Sequence, residues 1–157
     1  DQRRPPGHKP PVLACVGYGD ATEQAAMWAA DYAAWRGLPL SLLHVVGYRP
    51  LFPADSPSDM LASYFGQDTL LQWATEDLED IKRRVAARQP DVATTTTVDV
   101  GFAVRAILAA AHDAELVVLG KRQANPALRH MTSPRVHRLV SKLATTVVVV
   151  PSCSVDG

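Results

Sequence analysis

The residues best placed to do chemistry lie between Gly120 and Arg135, in the order Gly120-Lys121-Arg122-Gln123, then Ser133-Pro134-Arg135. They follow an apolar run, Leu116 to Leu119, and precede a segment with Val136, Leu139, Val140 and Leu143 at helical spacing. A second apolar run, Val147 to Val150, closes the unit. Strand, loop, helix, strand is the βαβ pattern. In an open parallel sheet, ligands bind where such a strand ends and the next helix begins. The chemistry on offer is anion binding, through a glycine that lets the backbone approach, N–H groups at a helix start, and cations at Lys121, Arg122 and Arg135. Covalent catalysis has no comparable support. No Gly-x-Ser-x-Gly elbow occurs, and no Cys/His pair stands at a recognisable spacing.

The elements that must position this loop can be read along the chain. Val12 to Val16 is a short apolar run ending at Gly17-Tyr18-Gly19-Asp20, a buried strand with a glycine-rich turn. A helix capped by Thr22 is expected to about Trp35. It is apolar nearly all round and therefore expected to be buried, with Gly37 as its C-cap. Leu40 to Val46 is the second strand. Pro50, Pro53 and Pro57 exclude a helix over much of 47–67. A second helix runs from about Thr69 to Arg88, with Leu70, Ala74, Leu78, Ile81 and Val85 inside. Glu79 with Arg83 and Asp80 with Arg84 stand at i,i+4 outside. Thr94 to Val100 predicts a more exposed strand at a sheet edge. Gly101 opens a third helix with Val104, Ile107, Leu108 and Ala111 inside.

This alternation predicts an α/β fold, a five-stranded parallel open sheet with helices on both faces. The first strand should lie centrally beside the fourth, so that the Gly17 turn and the Gly120 loop face each other across one crevice. Residues 1–11 read as a flexible lead-in, 12–151 as the domain, and 152–157 as a short tail. The last strand, Val147, Val148, Val149 and Val150, should be an apolar edge without protecting charge.

Totals narrow the function classes. With 16 basic and 16 acidic residues in 157, no general attraction to nucleic acid or an acidic membrane is expected. No apolar run reaches the roughly 20 residues that span a bilayer. Cys15 and Cys153 read as free thiols of a cytoplasmic protein, with a disulfide as the alternative. His112, Asp113 and Glu115 read as a surface helix end rather than a metal set, and His44 as a packed imidazole. Trp28, Trp35 and Trp73 read as core and packing residues rather than a base-stacking platform. Arg129, His130, Arg135, His137, Arg138 and Lys142 read as a solvated face rather than a nucleic-acid patch.

The ordered set of Val12 to Val16, Leu43-His44-Val45-Val46, Gly101 with Ile107 and Ala110, Glu115 to Gly120, and the closing valine strand resembles the universal stress protein (UspA-like) domain over residues 12–151. The resemblance implies a Rossmann-like, adenine-nucleotide hydrolase-like sheet of order 3-2-1-4-5. It also implies a homodimer through antiparallel pairing of the last strand. Many members of that family bind ATP through Gly, two residues, Gly, nine residues, then Gly followed by Ser or Thr, with an Asp ending the first strand. Carried onto this chain, the crevice positions are Gly17, Val46, Gly120, Lys121, Arg122, Gln123, Ser133, Pro134 and Arg135. The spacing is kept and the chemistry is not. Gln123 and Ser133 replace glycines, Pro134 replaces the hydroxyl residue, and Gly17 replaces the Asp. Each lost hydrogen bond to phosphate costs roughly 1.5–3 kcal/mol, so several losses weaken binding about 10³-fold or more.

The expectation is a non-enzymatic stress-response or regulatory domain with a degenerate nucleotide crevice and no cofactor. The alternative is a module that still takes ATP, another adenine nucleotide or a small anion through the Gly120–Arg135 loop, with slow hydrolysis left open. An adenylating hydrolase would want a Ser-Gly-Gly-x-Asp-Ser loop after the first strand, and a response regulator an acidic cluster there. Neither is present.

Overall fold

The computed structural model describes residues 7–17, 20–46, 66–121 and 140–151. Their order is β1 (Val12–Val16), α1 (Asp20–Arg36), β2 (Leu40–Val46), α2 (Gln67–Arg88), β3 (Thr94–Val100), α3 (Ala103–Ala111), β4 (Leu116–Lys121) and β5 (Thr146–Pro151). All four strand pairs are parallel, and the sheet runs β3-β2-β1-β4-β5. This is the expected order. β1, β2 and β4 are nearly continuous aliphatic runs because both of their faces are covered. Among the described residues β3 and β5 each have one neighbour; β3 alternates in exposure, while β5 is a mixture of exposed and half-buried residues.

Successive strand residues point to opposite faces, which divides the core in two. Val12, Ala14, Val16, Leu40, Leu42, Leu116 and Val118 pack under α1 and α2. Leu13, Leu43, Val117 and Leu119 pack on the other face with Ala111, Ala114 and the apolar side of α3. Helices therefore cover both faces, as the alternation predicts.

α1 lies close to the sheet because its inner face is alanine. Ala25, Ala26, Ala29, Ala30 and Ala33 are all buried. It starts at Asp20, two residues before the expected cap. Thr22 sits inside the first turn and donates its hydroxyl to the Gly17 carbonyl at 3.0 Å. The C-terminal end is as expected. Gly37 takes φ of 63°, its N–H reaches the Ala34 carbonyl at 3.2 Å, and the Leu38 N–H reaches the Ala33 carbonyl at 2.9 Å. That pairing is the Schellman closure, which satisfies two orphan carbonyls. Lys9 adds a cation there, its Nζ donating to the Gly37 carbonyl at 2.9 Å.

The helix is not buried all round. Trp28 is 38% and Trp35 77% exposed, and Trp73 on α2 is 39% exposed. Five alanines already fill the approach to the sheet, so the large rings are turned outward. The reading of these tryptophans as core residues is corrected.

On α2 the expected stripe, Leu70, Ala74, Leu78, Ile81 and Val85, is buried throughout. The outer charges pair mainly across to α1. Arg84 meets Glu23 at 2.6 Å and Asp80 at 3.5 Å. Arg88 grips Asp31 with Nε at 2.8 Å and a terminal nitrogen at 2.7 Å. The expected Glu79–Arg83 pair does not form. Arg83 turns to Asp80, and Glu79 instead accepts from the Thr96 hydroxyl of β3 at 2.9 Å. These pairs are half-exposed, so each contributes at most about 1 kcal/mol.

Candidate functional site

The carboxyl ends of β1 and β4 are adjacent, with Cys15 opposite Leu119 in the parallel register. Continuing that register sets Gly17 beside the Gly120–Lys121 end of β4, while Gly120 and Lys121 pair on their other side with Val150 and Pro151. The structure thus brings Gly17, Gly120 and the Lys121 backbone to one end of the sheet. Arg122, Gln123, Ser133, Pro134 and Arg135 lie outside the described residues, as does most of the helix expected to follow them. Of that helix's expected stripe, Leu143 packs on the α3-side core and Val140 is exposed.

The β1 end is closed by its own side chains. The Thr22 hydroxyl bonds the Gly17 carbonyl, and a Cβ added at Gly17 would meet Thr22 Cγ2 at 3.7 Å, ordinary contact. A side chain would fit there sterically, and Gly17 itself brings none. Val46 contributes no accessible side chain. It is buried with Leu70 and Ala74, and its carbonyl accepts the Gly101 N–H at 3.0 Å.

Two titratable groups on the described strands are held neutral by burial. Cys15 is a free thiol that burial pushes up to about 12, so it stays protonated and weakly nucleophilic at neutral pH. His44 is 1% exposed on β2, and burial pushes its pKa down to about 4, so the ring is neutral at pH 7. His112 and Asp113 are exposed beyond α3, and Glu115 faces Arg36 at 3.9 Å. No group of three His, Cys, Asp or Glu among the described residues could hold a metal ion.

Sequence reasoning missed a feature on the outer side of α1. The Trp28 and Tyr32 rings stack at 5.5 Å, Tyr32 meets Trp35 edge-on at 5.8 Å, and the Arg36 guanidinium lies 5.7 Å from the Trp35 ring. A groove of about 570 Å³ runs beside them, lined by Glu23, Gln24, Met27, Trp28, Asp31, Arg88 and Val150. The i, i+4, i+7 spacing of the three rings was visible; which way they faced was not.

A five-stranded parallel sheet of this order, with Gly17 just past β1 and Gly120 near the end of β4, can be set beside known proteins. The universal stress protein family model matches residues 10–151. The chain belongs to that family. Comparison with curated proteins gives no match. Among solved structures, a universal stress protein family member from Burkholderia pseudomallei aligns with TM-score 0.66 and 20% identity, covering 94% of this chain and 100% of that one. Universal stress protein UspA from Lactobacillus plantarum aligns at 0.68 with 18% identity, covering 92% and 99%. A universal stress protein in complex with cAMP aligns at 0.59 with 18% identity, covering 93% and 100%. At these identities the likeness establishes a shared fold. Among the described residues, no helix is long and apolar enough to cross a membrane.

Proposed function

We propose that residues 12–151 form a non-enzymatic universal stress protein domain that regulates through association, with a nucleotide crevice reduced in function. On this reading 1–11 is a lead-in, 152–157 a tail, and the site of action the cytoplasm, where Cys15 stays reduced. The observation that carries it is the β1 end. Where the family pattern wants a carboxylate, this chain has Gly17, whose carbonyl is engaged by Thr22 instead. With Gln123, Ser133 and Pro134 at the other key positions of that pattern, phosphate loses both close backbone approach and a hydroxyl partner. Isothermal titration with Mg-ATP tests the reading. The expected result is no saturable heat in the micromolar range; a micromolar constant overturns it.

The second reading keeps a ligand in the crevice. It is favoured by the cAMP complex of a structural neighbour and by the cations Lys121, Arg122 and Arg135 in the sequence that follows the retained Gly120. On that reading a cyclic or monophosphate nucleotide, with fewer phosphates to cradle, binds where ATP does not. The same titration with cAMP and AMP separates the two.

The association in question is a homodimer through β5. Its support is positional. β5 is the last strand of the sheet, pairs only with β4 among the described strands, and offers four consecutive valines with no charge to deter a second strand.

A further inference from the structure

The exposed aromatic ladder of α1 adjoins the same edge. Tyr32, Val148 and Val150 each pack against the core under α1, and Trp28 shares its groove with Val150. From Trp28 to Trp35 three rings run in contact along about two turns of helix. Trp35 at 77% and Trp28 at 38% exposure are large apolar surfaces to leave in water.

Strand pairing alone does not make a stable dimer. β5 has six residues, so its edge is about 20 Å long, and a sheet about 10 Å thick offers roughly 200 Å² of edge per copy. Stable interfaces bury about 800 Å² per partner. The missing area must come from what flanks the edge.

Of the two faces that flank the edge, the α1 face is the one whose helix beside β5 lies among the described residues. Antiparallel pairing of two β5 strands requires a two-fold axis normal to the sheet, which leaves both α1 helices on one face. α1 packs over β1 and β4, so the two helix axes stand about four strand spacings apart, about 19 Å. Packed helices stand 8–10 Å apart. A trough therefore remains between them, floored by Val148 and Val150 of both copies and too wide for bare helix contact. One indole reaching in from each wall fills it.

We infer that the occupant of this face is a second copy of the chain, with Trp28 and Tyr32 of each copy closing over Val148 and Val150 to complete the dimer interface. The inference rests on the β5 dimer proposed above and adds the residues that hold it. Nothing about it depends on nucleotide.

The test is sedimentation velocity across about 1–100 µM for the unmodified chain, Trp28→Glu and Trp73→Glu. The expected result is a dimer for the unmodified chain and for Trp73→Glu, an equally exposed indole on α2. Trp28→Glu should raise the dimer dissociation constant by at least about thirty-fold, the scale of an interface hot spot. Trp28→Glu dimerising like the unmodified chain overturns the inference while leaving β5 pairing intact. A monomeric unmodified chain overturns both. Should Trp28→Glu fail to fold, iodide quenching of a Trp35→Phe, Trp73→Phe chain reports on Trp28 alone. Quenching that falls as the dimer forms supports the contact, and unchanged quenching overturns it.

Discussion

The two edges of the sheet are built to opposite rules. β3 presents Thr95, Thr97 and Asp99 to solvent, with half-buried residues between them, and α2 lies across its inner face, where Thr96 donates to Glu79. β5 presents valines, with Val149 37% exposed. Threonine suits a strand as well as valine does, but its hydroxyl keeps water attached. An outward carboxylate such as Asp99 adds a charge that a second strand would have to desolvate. Among the described residues, one edge is therefore polar and charged and the other apolar, which is the contrast the proposed dimer uses. Composition alone separates the two edges.

Three changes sharpen or break that contrast. The largest concerns His44, which pairs with Val98 just behind the polar edge. Its folded pKa of about 4 lies below the unfolded value of 6.5, so on acidification the unfolded chain takes the proton first. Stability from this group is full above the unfolded pKa, falls as pH drops from 6.5 to 4, and levels off below that. The integrated loss is about 3 kcal/mol. Urea unfolding at stepped pH should show this slope, and His44→Leu should flatten it relative to the unmodified chain. Hydrogen exchange should then show β3 amides losing protection before those of β5.

The next change attacks the apolar edge. Val149→Lys places a charge where a second strand would pair, and should weaken the dimer about a hundred-fold, equivalent to about 2.7 kcal/mol. Thermal melting measured where both proteins are monomeric should barely move, because Val149 is already exposed. The smallest change goes the other way. Thr97→Val makes β3 resemble β5; stability should alter by less than about 0.5 kcal/mol while light scattering shows new concentration-dependent association. An unchanged oligomeric state would mean that the threonine edge is protected by Asp99 and not by its hydroxyls.

Most of the fold was legible because its determinants are local and repeated. Continuous aliphatic runs mark β1, β2 and β4, the Leu70–Val85 stripe gives the phase of α2, and Gly37 marks the end of α1 through the left-handed turn it alone accepts cheaply. The rotation of α1 was not legible. When alanine and tryptophan are both counted apolar, a helix rich in both has no hydrophobic direction. Only packing shows that alanine was chosen for closeness to the sheet and tryptophan for the outside. The ion pairs were half legible for a similar reason. Asp80 and Arg84 meet at i,i+4 as expected, whereas Glu79 found a partner on β3 that no helical spacing could indicate. At the candidate site, the sequence sufficed to place Gly17 and Gly120 side by side. The closure of the β1 end by Thr22 came only with the structure.

The parallel register has a consequence in time. β1 lies between β2 and β4, and its partner Leu116 follows Val12 by about a hundred residues, so no hairpin can start this sheet. Until β4 is available, one side of β1 is an aliphatic strand with its ladder groups unmet. The β1–α1–β2 unit must therefore wait, half-covered, for the far end of the chain. A nascent chain of this protein is most exposed to misassociation while its most buried strand is the one still lacking a neighbour.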